Sequence, residues 1–161
     1  MTRIEFPKTV DRSRWVEVPE IILEAKEIAK STNDRRRTFE QKMIDSMNGL
    51  TLQYAVADAL SQAGYEMWLA PRTDKSFDFE ISAVRIDIKG IFKANAKAFT
   101  QSEWERANAL PTTIYACYDC TGDSGVFKGW CKHGDFQLSQ FTGYMIYPNR
   151  LTTSGILIPP P

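Results

Sequence analysis

An α/β fold, with an α+β mixed sheet flanked by helices, is predicted by three features of the sequence. Helical periodicity dominates residues 19–63, period-2 alternation takes over from Phe77 to Ile88, and a turn-rich segment later joins two more strand-like runs. Helices first, then a sheet, then a helix and hairpin build one layered domain.

Residues 1–18 carry scattered charges without a clear period and are expected to wrap the domain or fray. Pro19 suits a first helical turn. Ile21, Ile22, Ala25, Ile28 and Ala29 follow at helical spacing, with Glu20, Glu24 and Lys26 between them, as in an amphipathic helix. A second helix is expected after Asn33 or Asp34, either of which can cap it. Phe39, Met43, Ile44 and Met47 share its apolar face, and Asn48-Gly49 is its stop signal. A third helix runs from about Leu50 to Ala63, with Leu52, Val56, Ala59, Leu60 and Ala63 inward.

The period then changes. Tyr65 to Ala70 suits a strand, and Pro71 to Ser76 a polar turn. Phe77, Phe79 and Ile81 alternate with Asp78 and Glu80; Val84, Ile86 and Ile88 alternate with Arg85, Asp87 and Lys89. A helix is expected from near Thr100 or Ser102 to Asn108. Thr112 to Tyr118 and Val126 to Lys132 read as a hairpin turning at Cys120 to Gly125. The Pro159-Pro160-Pro161 tail does not continue a strand.

The 161 residues, 18.3 kDa, fit a single domain. Its N-terminal helical part is about 19–63, its core about 49–136, and its C-terminal strand and tail 137–161. A hydrophobic fraction of 43% and a charged fraction of 25% exclude collagen-like, coiled-coil and wholly disordered classes. Twenty basic residues balance 20 acidic ones, which neither supports nor excludes a nucleic-acid partner. No run approaches the roughly 20 apolar residues of a membrane span, and no signal-like segment follows Met1. With three cysteines, an odd number, the expectation is a cytoplasmic protein without a membrane partner.

The chemistry concentrates at Phe77-Asp-Phe-Glu-Ile81 and Val84-Arg-Ile-Asp-Ile-Lys-Gly90. Alternation puts Asp87 and Lys89 on one face, about 6.6 Å apart along the strand. Asp78 and Glu80 share the polar face of the preceding strand. If the strands pair, two carboxylates and an ammonium converge, and close carboxylates repel unless a hard cation such as Mg²⁺ or Mn²⁺ sits between them. Metal, carboxylates and lysine together suit phosphodiester hydrolysis. A solvated sheet face carries the same alternation, so the pattern has a purely structural reading too.

These residues resemble the PD-(D/E)XK nuclease superfamily, with its restriction-endonuclease-like core. Asp78 falls on the first motif acid, nine positions before Asp87. Asp87-Ile88-Lys89 falls on the D-X-K element, and Gly90 follows it as in many members. Phe99 to Ala107 resembles the opening of the next helix, and Val126 to Trp130 a late strand. The resemblance spans roughly Gly49 to Phe136. It implies a metal-dependent endonuclease acting on DNA, in which Asp78, Asp87 and the Ile88 carbonyl ligate Mg²⁺ (or Mn²⁺) while Lys89 positions the attacking water. The chain departs from the pattern in two places. Phe77 replaces a proline common before the first acid. Gln53, four residues after Gly49, stands where many relatives place a glutamate; Glu40 is a substitute. A domain this small is expected to act as a homodimer or to read nucleic-acid structure rather than a long sequence. The alternative is a catalytically inactive nucleic-acid-binding or protein-interaction module of the same fold.

Four further features complete the reading. Arg35, Arg36 and Arg37 oppose the dipole of the helix they precede, a placement that phosphate contact would explain. Arg72, Lys75, Lys93 and Lys97 lie in loops flanking the proposed site. Cys117, Cys120, Cys131 and His133 have the composition of a zinc site, but on a hairpin Cys120 would lie roughly 10 Å from the others. Trp15, Trp68, Trp104 and Trp130 are expected as core or half-buried packing.

Overall fold

A computed structural model describes residues 2–71, 74, 76–94, 101–135 and 151–158. Arg72, Lys75 and Lys97 lie outside the described residues, as do Phe99, Thr100 and residues 136–150. In chain order the elements are β1 (Thr2–Ile4), β2 (Thr9–Val10), a 3-10 turn (Ser13–Trp15), α1 (Pro19–Ser31), α2 (Phe39–Gln62), β3 (Trp68–Leu69), β4 (Phe79–Ile81) and β5 (Val84–Ile91). There follow α3 (Gln101–Arg106), β6 (Ile114–Asp119), β7 (Gly125–Lys132), a second 3-10 turn (His133–Asp135) and β8 (Ile156–Ile158).

The main sheet is mixed, in the order β2-β7-β6-β5-β4-β3. Only β5 and β6 run parallel, with Asp87 beside Tyr115 and Lys89 beside Cys117. β4 and β5 form the expected hairpin, with Phe79 opposite Ile86 and Ile81 opposite Val84. The N-terminal segment is ordered rather than frayed: β1 pairs antiparallel with β8 in a second, two-stranded sheet. Tyr65 ties it down, its hydroxyl donating to the Arg3 carbonyl at 2.8 Å and accepting from the Glu5 amide at 2.9 Å.

The core lies between α2 and the sheet. Leu52, Val56 and Leu60 meet Phe79, Ile86, Ile114, Ala116 and Tyr118, closed at one side by Ile4, Phe6, Val10, Ile156 and Ile158. Close approach sets one residue identity. A Cβ on Gly90 would stand 2.6 Å from the Phe92 ring and 2.8 Å from Leu52 Cδ2, so glycine lets β5 lie directly under α2.

Several sequence expectations change. The second and third helices are one, Phe39–Gln62, and Gly49 lies inside it. A glycine there costs about 1 kcal/mol relative to alanine. Burial of Leu50, Leu52, Val56 and Leu60 outweighs that, at about 1.5–3 kcal/mol for each side chain. The cap is Thr38, whose hydroxyl accepts from the Gln41 amide at 3.1 Å. Asp34 instead accepts from the Arg36 amide at 2.9 Å and holds the Arg37 guanidinium. On α1, Ile21, Ala25 and Ala29 are buried but Ile22 and Ile28 are exposed. β3 shrinks to two residues at the sheet edge, with a strand on one side only, and Trp68 is 54% exposed there rather than packed inside. Phe39 and Ile44 of α2 are likewise exposed.

Candidate active site

The β4–β5 hairpin turns through Ser82 and Ala83 at φ of 50° and 65°. Positive φ at both central positions is the two-residue turn whose twist matches a hairpin. It fixes the register, with Phe79 opposite Ile86; beyond that pair the Asp78 amide donates to the Ile86 carbonyl at 2.8 Å, and the Asp78 carboxyl comes beside that of Asp87. Phe79, Ile81 and Ile86 point into the α2 side of the sheet, so Glu80, Arg85, Asp87 and Lys89 take the other, while Asp78, ahead of β4, lines the cleft with residues of α1 and α2. Glu80 does not join the site; it pairs with Arg85 at 3.1 Å.

Asp87 is buried, 6% exposed, and the Lys89 Nζ lies 3.2 Å from its Oδ2. Lys89 also lies over the ring of Tyr115, 5.9 Å from its centroid. Asp78 sits just before β4, where the ladder has not begun, and its Oδ2 accepts the Ile88 amide hydrogen at 2.7 Å. Burial pushes the Asp78 carboxyl well above the usual carboxylate range, and the adjacent Asp87 charge adds to the rise. The Ile88 amide and Lys89 pull weakly the other way.

These groups open onto a cleft of about 600 Å³ between α1, α2 and the hairpin. Gln53, Asp78, Asp87, Ile88 and Lys89 all line it, so the structure brings five of the sequence-named residues together. Glu40 is not among them: it is exposed in the first turn of α2, thirteen residues and about 20 Å of helix before Gln53. Lys93 is exposed beyond the end of β5 and lines no part of the cleft. Arg35, Arg36 and Arg37 form the turn between α1 and α2. Arg37 is engaged by Asp34 at 2.9 Å and Asp45 at 2.7 Å, while Arg36 points outward, its side chain 92% exposed. That pairing accounts for Arg37 without any phosphate.

Sequence reasoning missed the acids that α1 and the β3–β4 loop bring to this cleft. Glu24 and Glu27 come from α1 and Asp74 from the loop. The Glu24 carboxylate accepts from the Tyr54 hydroxyl of α2 at 2.9 Å. Nothing local marks Glu24, because any polar face of an amphipathic helix carries such residues. Among the described residues, no three His, Cys, Asp or Glu side chains are close enough to hold one metal ion. A cation at this site would therefore draw on Asp78, Asp87 and main-chain or water oxygens. The cysteines divide between the two sheet faces. Cys120 lies in the α2-side core, whereas Cys117 stands beside Lys89 on β6. Burial pushes the Cys117 thiol up to about 12.

Behind Lys89, the Tyr115 hydroxyl lies 2.6 Å from His133 Nδ1. The imidazole stacks on Trp104 of α3 at 4.6 Å between centroids, and Trp104 Nε1 donates to the His133 carbonyl at 3.1 Å. Burial raises Tyr115 and lowers His133, so both groups favour their neutral forms, and the imidazole tautomer decides which of the two donates.

No helix among the described residues is long and apolar enough to cross a membrane. No protein-family model, no curated protein and no solved structure matches the chain.

Proposed function

We propose that the protein is a metal-dependent phosphodiesterase, an endonuclease acting on DNA. The observation that carries the reading is the Asp78 carboxyl beside that of Asp87, with the Lys89 ammonium 3.2 Å from Asp87, at the wall of a cleft. DNA as the substrate rests on the PD-(D/E)XK resemblance of these same residues.

The donor set suits a hard divalent cation. Two opposed carboxylates repel, and Asp78 is already lifted by its neighbour. Glu24, Glu27, Asp74, Asp78 and Asp87 line the cleft against Lys89. Such a surface repels a phosphodiester until positive charge is added. Asp78 and Asp87 would hold Mg²⁺ or Mn²⁺, with the Ile88 carbonyl as a further oxygen donor. Bound there, the ion supplies Lewis acidity toward a phosphate oxygen and a water of lowered pKa.

The chain's own residues do the rest. Lys89 donates to the attacking water or to a phosphate oxygen, and Asp87 holds the ammonium in place. The Gln53 amide hydrogen-bonds water at the cleft wall, orienting it without adding charge. The buried Tyr115 ring beneath Lys89 limits where its ammonium travels.

A second reading is favoured by Gln53 itself. With a neutral amide there and no three-acid cluster among the described residues, the fold would bind nucleic acid or protein without cutting. Linear, supercoiled, branched and single-stranded nucleic acids incubated with Mg²⁺, Mn²⁺ or EDTA separate the two. The nuclease cuts with metal and loses cutting in Asp87→Ala, while binding without cutting in either protein selects the second reading.

A further inference from the structure

Arg12 is a half-buried cation with no carboxylate in salt-bridge range among the described residues. The 3-10 turn after β2 sets it against α2, with the Trp15 amide donating to its carbonyl at 3.0 Å. Its guanidinium carbon lies 4.9 Å from the centroid of the Phe92 ring, and Nη1 reaches Thr51 Oγ1 at 3.4 Å. Its Nε is buried and meets no acceptor among the described residues. Asp11, its neighbour in sequence, and Asp58 of α2 are engaged elsewhere. Asp11 accepts from both the amide and the hydroxyl of Ser13, and Asp58 takes Arg14 at 3.5 Å.

A guanidinium cannot shed its charge by losing a proton. A lysine or histidine buried this way would titrate, whereas an arginine needs an anion or bears the cost. The space beside it is shaped to admit one. Arg12, Ser13, Asn48, Thr51, Gly122 and Asp123 surround a cavity of about 340 Å³. The residues Asn48 and Thr51 lie about 160° around α2 from those lining the active-site cleft, so this is a separate site. Val16 and Met47 complete the lining; the Asn48 amide and the Gly122 backbone are able to donate, while the Ser13 and Thr51 hydroxyls already donate to Asp11 and to the Asn48 carbonyl. Asp123 is the one acid in the lining; it is exposed on the β6–β7 loop and forms no ion pair with Arg12.

We propose that this cavity is a phosphate-binding site in which Arg12 is the charged anchor. A phosphate supplies what the site lacks: acceptors for the Nη groups of the guanidinium, and the missing negative charge. The same chemistry has two sources, a phosphodiester of a nucleic-acid strand or a free phosphate or phosphomonoester. The assignment does not rest on the nuclease reading.

Thermal unfolding in sodium phosphate and in sodium chloride, at matched ionic strength, tests it. Phosphate is expected to raise Tm by about 2 °C or more relative to chloride once it exceeds several Kd. Arg12→Gln is expected to abolish that difference. Asn48→Asp keeps the anchor and supplies an internal carboxylate, so it is expected to raise Tm in chloride and to lose the response to phosphate. The same Tm in both salts for the native sequence, or a response that survives both substitutions, overturns the proposal. Binding of a labelled DNA strand in EDTA then names the source. A fall of about tenfold in Arg12→Gln, with a salt dependence reduced by about one ion, supports the site with a backbone phosphate as its ligand. Unchanged DNA binding beside an intact phosphate response supports the site with a free phosphate as its ligand.

Discussion

The Asp78 carboxylate accepts the Ile88 amide hydrogen at 2.7 Å, so one proposed metal ligand also satisfies an interior amide of β5, the strand that carries the other. The two roles separate by substitution. Asp78→Asn keeps an oxygen for the amide and removes a charge facing Asp87. In EDTA its urea midpoint is expected to equal or exceed that of the native sequence, while metal-dependent cleavage falls at least about 100-fold. Asp78→Ala leaves the amide without its partner and is expected to lose about 1 kcal/mol of stability as well. Equal stability of the two variants would show that the hydrogen bond contributes nothing and that Asp78 serves the site alone.

Lys89 and Asp87 form a partly buried pair at 3.2 Å, with side-chain exposures of 27% and 9%. Removing the ammonium strands a carboxylate of low accessibility, a change that costs several kcal/mol when burial is complete and about 1–3 kcal/mol here. Lys89→Met is therefore expected to destabilise the native sequence but to cost little in an Asp87→Asn background. A double-mutant cycle by urea unfolding reads the coupling directly. Both single variants are expected to lose cleavage, since each removes a group facing the reacting phosphate.

The legible and illegible parts of this site follow from the range of the interactions. Asp87 and Lys89 share a face because strand alternation is local, and the Asp78–Asp87 encounter needs only a hairpin of known register. The break expected at Asn48-Gly49 failed for a non-local reason. Leu50 packs with α1 and Leu52 with the sheet, and that packing carries the helix through a stop signal. Glu24 entered the cleft because α1 packs on α2, with Tyr54 reaching across 30 residues to bond it, a meeting that no spacing encodes. The same holds for Arg12, which meets Thr51 and Phe92 only after the chain has closed on itself.

The turn that sets the Asp78–Asp87 register is built from residues poorly suited to it. Ser82 and Ala83 both adopt left-handed conformations, at φ of 50° and 65°. A left-handed conformation costs an ordinary residue roughly 1 kcal/mol, and Asn-Gly is the sequence this turn prefers. Ser82→Asn with Ala83→Gly is expected to raise stability by about 1 kcal/mol and to leave cleavage intact, because neither side chain lines the cleft. A loss of stability would mean that the turn relaxes to another geometry in solution.

His133 gives the fold a pH dependence of defined sign. Burial lowers its pKa from 6.5, so the folded state prefers the neutral ring. The unfolded chain takes up a proton first as pH falls, and stability is lost below about pH 6.5 as acidification passes the folded value. Protonation also makes Nδ1 a donor only, so the Tyr115 hydroxyl at 2.6 Å is then left to accept. The Tm of the native sequence is expected to fall between pH 6.5 and 5, and His133→Gln to show a shallower fall over that interval. Parallel curves would assign the acid sensitivity to carboxylates instead.

Gln53 decides how far this site departs from a three-acid arrangement. It lines the cleft on α2 with Asp78 and Asp87, but as an amide it offers water a hydrogen bond and the cation no charge. Gln53→Glu is expected to tighten Mg²⁺ binding about tenfold, measured by calorimetry on the uncleaved-substrate-free protein, because a further carboxylate offsets the ion's charge. In EDTA the same substitution is expected to lower Tm, since it adds a third negative charge beside Asp78, whose carboxyl is already lifted by Asp87. Gln53→Ala is expected to weaken Mg²⁺ binding by roughly tenfold through loss of the orienting amide. Tighter binding in the glutamate variant together with faster cleavage would place Gln53 at the reacting centre. Tighter binding with slower cleavage would mean that the amide, not a carboxylate, is what the native geometry requires.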